Sequence, residues 1–170
     1  MIQGEKIRLR LLEREDLIRI ANWRNLPEAT EQFFSPWPIT YSEQGRWYEQ
    51  YLAGTDRMFI IEPLANLKAV GMLALVNIDR QHQRAELGRV MIDPDYCGQG
   101  YARDAVKTLI RFAFGELNLQ RLYIETLSEN VKAIHLYDMC GFRLEGKLRQ
   151  HVWKRGLFRD VTVRGVLKGE

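Results

Sequence analysis

The stretch Met91-Ile92-Asp93-Pro94-Asp95-Tyr96-Cys97-Gly98-Gln99-Gly100-Tyr101-Ala102 decides how this chain is read. An apolar run stops at Pro94, and a glycine-rich turn then opens a helix. Gly98 and Gly100 permit backbone conformations and close approaches that a Cβ would block. The start of a helix presents unpaired N–H groups and the positive end of its dipole. A turn built this way cradles phosphate. A lone G-x-G is most often a plain turn, but its place after a buried strand and before a long helix sharpens the reading.

Working upstream, residues 85–92 are apolar enough for a central strand. Residues 57–62 and 69–77 form a hairpin around Leu64-Ala65-Asn66-Leu67. Residues 6–12 alternate polar and apolar and predict a strand. A helix from Glu15-Asp16 to about Trp23-Arg24 follows, with Leu17, Ile18, Ile20 and Ala21 on its apolar side. Residues 25–38 read as a loop punctuated by Pro27, Pro36 and Pro38, and Thr40-Tyr41-Ser42-Glu43 as a capping box that opens a helix to about Leu52. Downstream, Ala102, Ala105, Val106, Leu109, Ile110 and Ala113 recur at helical spacing up to about Gly115. A strand over 122–127 and a helix over 129–140 come next, with Gly141 as its C′ glycine. Two strands, 144–153 and 157–166, close the chain around Lys154-Arg155-Gly156. The order β-α-α-β-β-β-α-β-α-β-β fits an αβ sandwich on a mixed sheet.

The chain has 170 residues, 46% hydrophobic and 28% charged, which suits one domain over 1–170 with a real core. A net charge of +3 suits an anionic cofactor without demanding nucleic acid. No apolar run approaches a membrane span, and the N-terminus lacks a signal-peptide core. Cys97 and Cys140 are too few and too far apart for a disulfide scaffold or zinc site, so two reduced thiols in a cytoplasmic protein are expected. His82, His135 and His151 show no ligand spacing, so no metal is expected.

A second pattern, Asn130-Val131-Lys132-Ala133-Ile134-His135-Leu136-Tyr137 ending in Gly141-Phe142, lies one strand and one helix beyond the glycine turn. Together the two resemble the GCN5-related N-acetyltransferase (GNAT) family over nearly the whole chain. The resemblance is closest to the branch of spermidine N-acetyltransferases and ribosomal-protein N-terminal acetyltransferases, through Arg8-Leu-Arg-Leu, Arg84-Ala-Glu86 and Ala133-Ile-His-Leu-Tyr137. It implies an α/β (α+β) fold: an αβα sandwich around a mixed, mostly antiparallel sheet with splayed central strands. It also implies acetyl-CoA as acyl donor. Cys97 departs from the family, which has Gln or Arg there; backbone N–H groups do most of the anion binding in such turns.

The same resemblance implies the site. The turn Cys97, Gly98, Gln99, Gly100, Tyr101 and Ala102 would hold the pyrophosphate. Val90, Met91 and Ile92 would offer a strand edge to the pantetheine arm, with a freed N–H near Met91 for the thioester oxygen. Asn130 would contact the pantetheine or cap its helix. Tyr137 would protonate the departing thiolate; the plain alternative is a packed core tyrosine. An amine protonated near neutral pH must lose a proton before attack, and Glu86 would take it, with Glu125 as rival and a surface ion pair as the alternative. Strand alternation predicts Glu86, Gly88 and Val90 on one face, with Leu87, Arg89 and Met91 on the other. Glu28, Glu31, Phe34 and Trp37 would form the acceptor pocket.

The resemblance implies direct attack of a primary amine on acetyl-CoA in a ternary complex, the acceptor being a polyamine or a protein N-terminal amine. Trp23-Arg24-Asn25 resembles a short motif of amino-sugar-nucleotide acetyltransferases, the alternative acceptor class; a non-catalytic CoA-binding module is a further alternative. The basic hairpin of Lys147, Arg149, Lys154, Arg155, Arg159 and Arg164 reads as a charge-protected edge rather than a nucleic-acid surface. Its open edge makes a homodimer an expectation.

Overall fold

The structure, a computed structural model, describes residues 1–35 and 37–170. Pro36, read above as loop punctuation, lies outside the described residues. The strands are β1 (Ile2–Gln3), β2 (Ile7–Leu11), β3 (Arg57–Pro63), β4 (Gly71–Asp79), β5 (Arg84–Ile92), β6 (Arg121–Leu127), β7 (Arg143–Lys154) and β8 (Leu157–Leu167). The helices are α1 (Leu17–Arg24), α2 (Pro27–Gln32), α3 (Tyr41–Ala53), α4 (Tyr101–Gly115) and α5 (Val131–Asp138). One mixed sheet runs β1-β2-β3-β4-β5-β6-β8-β7. Its neighbours are antiparallel except β5 and β6.

Both faces of the central strands are apolar because helices cover both. On one side Ile7, Leu9, Phe59, Ile61, Leu73, Leu75 and Leu87 pack with α4 and α5. On the other Met58, Ile60, Met72, Ala74 and Val76 pack with Leu17, Ile20 and Trp23 of α1 and Tyr48 and Tyr51 of α3. The alternation of β3 and β4 between these two cores is the period of two expected of strands. Arg8 and Arg10 on β2 share the buried Glu62, and Arg10 also forks onto Asp16 at 2.7 Å through both guanidinium nitrogens. The Arg8-Leu-Arg-Leu pattern therefore fastens the start of α1 to the sheet.

Several expectations are corrected. Residues 25–38 are not all loop: Pro27 sits at the first position of α2, where its missing N–H costs nothing and its fixed φ suits a helix. Ile18 is 58% exposed, because the buried stripe of α1 runs through Leu17, Ile20, Ala21 and Trp23. Thr40 does cap α3 reciprocally with Glu43. Gly141, at φ +94°, ends α5: its N–H donates to Asp138 and that of Phe142 to Tyr137, the bonds of a Schellman cap.

The alternation of β5 is also corrected. Gly88 pairs with Ala74 and Met91 with Met72, so Arg89 and Val90 together oppose Leu73. Arg89 has φ +55°. This bulge inserts one residue and turns the strand over. Glu86, with the paired Val76, lies on the α1–α3 side, as Met91 does, while Val90 packs with Leu87 in the core of the α4–α5 side.

Candidate active site

The parallel pairing of β5 with β6 covers Arg84↔Arg121, Ala85↔Leu122 and Glu86↔Tyr123, and ends there. Beyond Glu86 the two strands diverge, leaving one edge of β5 without a strand partner. The N–H of Asp93 bonds back to the carbonyl of Val70 at 2.8 Å, toward β4. By alternation Met91 also faces β4, and the N–H groups of Val90 and Ile92 face the opening. The groups freed near Met91 are therefore those of its two neighbours. On the paired side β4 approaches closely, because a Cβ on Gly71 would collide with the Met91 carbonyl oxygen.

At the end of β5, Asp93 Oδ1 accepts from the N–H of Asp95 and caps a short 3-10 turn over Pro94–Tyr96. Gly98 and Gly100 follow at φ +79° and +83°, and Gly100 is the N-cap of α4. Nothing lies within 4 Å of where a Cβ of Gly98 would stand, and a Cβ of Gly100 would meet only Lys6 Nζ, at 3.5 Å. The glycines thus clear space in front of the α4 N-terminus, which fits a pyrophosphate. Lys6 donates to the carbonyl of Gln99 at 3.3 Å, and the Lys132 charge is felt at Cys97. Both cations were missed in the sequence: Lys6 is brought in because the buried Asp104 of α4 accepts from the N–H groups of Glu5, Lys6 and Ile7. Cys97 is exposed, with Sγ 3.7 Å from the carbonyl of Asp93, and partial desolvation pushes the thiol pKa up. A raised thiol is a poor nucleophile, which argues against an acyl carrier there.

Tyr137 reaches the region from α5. It is 7% exposed and packs edge-on against Phe142, ring centroids 5.6 Å apart. Burial, then the Cys140 and Glu86 charges, hold its phenol far above the ordinary range. Asn130 caps α5, its Oδ1 accepting from the N–H of Ala133 at 3.1 Å. Glu86 Oε2 accepts from Asn77 Nδ2 at 2.8 Å. Desolvation by burial raises the Glu86 pKa, with the Glu125 charge adding to it. The Glu86 charge is thus felt at Tyr137, whereas Glu125 enters only as a charge neighbouring Glu86.

The residues expected in the acceptor pocket divide. Trp37, 78% exposed, lines a cavity of about 210 Å³ with Ile20, Arg24, Trp47, Met58 and Arg89. Glu31 is elsewhere, paired with Arg155 at 2.9 Å in a polar cleft against the β7–β8 hairpin. Glu28 lies in the first turn of α2 and is exposed. Neither it nor the half-buried Phe34 lines the cavity. The basic hairpin is locally neutralised: Lys147, Arg155, Arg159 and Arg164 each pair with a carboxylate, and Lys154 donates to carbonyls of Thr30 and Phe33.

A strand edge freed by splaying, a glycine cradle at a helix N-terminus and a cavity on the opposite side of β5 form a two-sided site. Residues 6–143 match the family model described as an acetyltransferase (GNAT) domain. The chain is 31% identical over 168 residues to spermidine N(1)-acetyltransferase of Vibrio cholerae, covering 98% of this chain and 96% of that protein. It is 32% identical over 162 residues to spermidine N(1)-acetyltransferase of Escherichia coli K12, covering 95% and 86%. The crystal structure of the Vibrio cholerae spermidine N-acetyltransferase with CoA and spermine superposes with a TM-score of 0.88 at 31% identity, over 96% of each chain. The chain belongs to the GNAT acetyltransferase family and is an acetyl-CoA-dependent N-acetyltransferase.

Proposed function

We propose that this enzyme acetylates a primary amine by direct attack in a ternary complex, with Glu86 as base and Tyr137 as donor to the leaving sulfur. The observation that carries this reading is the opening beyond Glu86, where the end of β5–β6 pairing leaves a strand edge between a carboxylate on one side and a phenol on the other. Acetyl-CoA supplies the activated acyl group. Its pyrophosphate suits the N–H groups at the α4 N-terminus, with Lys6 and Lys132 adding charge, and its pantetheine suits the edge at Val90–Ile92 and the Asn130 cap. The N–H groups of Val90 and Ile92 are placed to stabilise negative charge developing on the thioester oxygen.

Glu86 must be ionised to take the proton from an ammonium acceptor. Its raised pKa brings it nearer neutrality and makes it a stronger base than an exposed glutamate. Tyr137 works differently. A phenol held far above the thiol range stays protonated at every working pH and stabilises the thiolate as a hydrogen-bond donor more than by full proton transfer.

The spermidine relatives make a polyamine the first acceptor to assay, with a peptide N-terminal amine second. We place the reaction in the cytoplasm as part of this proposal; no described helix is long and apolar enough to cross a membrane. The test is thiol release from acetyl-CoA against spermidine, spermine, N-terminal peptides, amino sugars and amino-sugar nucleotides. Turnover with any of them establishes the reaction. Silence across the panel while acetyl-CoA still binds by calorimetry would leave an acceptor outside the panel or a binding module.

A further inference from the structure

Arg24 and Arg89 are the anomaly of the cavity. Both line it, from the end of α1 and from the β5 bulge, and Arg24 is held below its usual pKa by burial first and by the Arg89 charge second. Arg24 Nε is buried and has no hydrogen-bond partner among the described residues, while its guanidinium lies over the Phe33 ring, 4.8 Å from the centroid. Arg89 Nη1 reaches only the thioether of Met58, at 3.8 Å, a weak acceptor. Among the described residues neither forms an ion pair.

The nearby carboxylates are held by neutral donors and not by these guanidiniums. Glu43 lines the same cavity, but its Oε2 accepts from the N–H and hydroxyl of Thr40 at 2.9 and 2.7 Å. Glu86, whose carboxylate senses Arg89, accepts from Asn77. Neither guanidinium is hydrogen-bonded to a carboxylate among the described residues, and beside Ile20, Met58 and two tryptophans the buried Arg24 carries a desolvation penalty that an incoming anion repays. Arginine forks suit the two oxygens of a carboxylate or phosphate.

We infer that Arg24 and Arg89 form an oxyanion subsite, so the favoured acceptor is an amine that also carries a carboxylate or phosphate. This rests on the reading of the cavity as the acceptor's entrance. It sets this chain apart from a polyamine enzyme, because a second positive charge entering the cavity would face both arginines.

Two measurements on the full chain test it. The first reads binding alone: titrate inorganic phosphate, and separately acetate, into protein saturated with CoA so that the glycine turn is filled, and follow the fluorescence of Trp37 and Trp47. A saturable change, weakened about tenfold or more in Arg89→Gln and in Arg24→Lys, is expected. Arg24→Lys keeps the charge but loses the fork, and thermal midpoints check that both variants fold. No saturable change, or one that the variants leave intact, overturns the subsite whether or not any amine is turned over.

The second compares kcat/KM within matched pairs, glucosamine 6-phosphate against glucosamine and 4-aminobutyrate against its amide, with spermidine alongside. The anionic member should lead by about tenfold to a hundredfold, and the ratio should fall toward one in Arg89→Gln. The pair with the larger ratio tells phosphate from carboxylate. Ratios near one in the wild type, or spermidine ahead of every anionic amine, would overturn the inference while leaving the N-acetyltransferase reading standing.

Discussion

At the scale of single residues, Glu86 and Tyr137 are distinguished by how burial moves their protons. Tyr137→Phe removes the donor without changing the packing against Phe142, so turnover should fall about a hundredfold with acetyl-CoA affinity nearly unchanged. Single-turnover rates with calorimetric titration check this, and undiminished turnover would assign the thiolate to solvent. For Glu86 the sign follows from its raised pKa. A base is needed ionised, so activity is lost as pH falls through that value, and the acid limb of kcat/KM lies above the ordinary glutamate range. Glu86→Gln should remove that limb together with most of the rate. The same shift predicts the opposite effect on stability. A carboxylate whose folded pKa is raised contributes stability below its unfolded pKa and loses it as pH rises through the folded value. At neutral pH the ionised Glu86 therefore weighs against the fold, and Glu86→Gln should melt higher than wild type in a calorimetric scan at pH 7. An unchanged or lower midpoint would mean that the Asn77 bond outweighs the desolvation.

At the scale of elements, what was legible in the sequence followed from local physics. The period of 3.6 along α4, the capping box of α3 and the glycine pair before α4 each depend on residues a few positions apart. The element α2 was missed because Pro27 was read as a breaker, although at the first helical position it is a starter. The faces of β5 were misassigned because a single inserted residue reverses every side chain beyond it, and nothing in Gly88-Arg89-Val90 announces a bulge. Lys6 was invisible because Asp104, nearly a hundred residues away, carries it to the turn. The glycine turn itself is local enough to test by one substitution. Gly100→Val places a β-branched residue at φ +83°, costing about 1–2 kcal/mol, and puts its methyl groups into the space before the α4 N-terminus. Acetyl-CoA binding should be lost in a protein that still folds. A folded variant with unchanged affinity would remove the phosphate cradle from this turn.

At the scale of the whole molecule, the two sides of the sheet meet at Asp93. Its Oδ1 caps the turn that leads to the glycines, while its Oδ2 accepts from Trp23 Nε1 at 3.0 Å, across seventy residues of sequence. Trp23 belongs to α1, whose last residue, Arg24, lines the cavity on the other side. One carboxylate thus joins the element proposed to receive the donor to the element proposed to receive the acceptor. A bond to a charged acceptor contributes about 1.5–3 kcal/mol, enough for its loss to be felt on both sides. Trp23→Phe keeps most of the buried ring and breaks only this bond, so KM should rise several-fold for acetyl-CoA and for the acceptor together. If the bond is the link, Trp23→Phe and Asp93→Asn should not add: their combined cost should fall short of the sum by about 1 kcal/mol in a double-mutant cycle on kcat/KM. Additive costs would mean that Asp93 serves the turn and the helix independently. The two sides of the site would then communicate only through the shared strand β5, whose bulge sets Arg89 in the cavity while its other edge faces the donor.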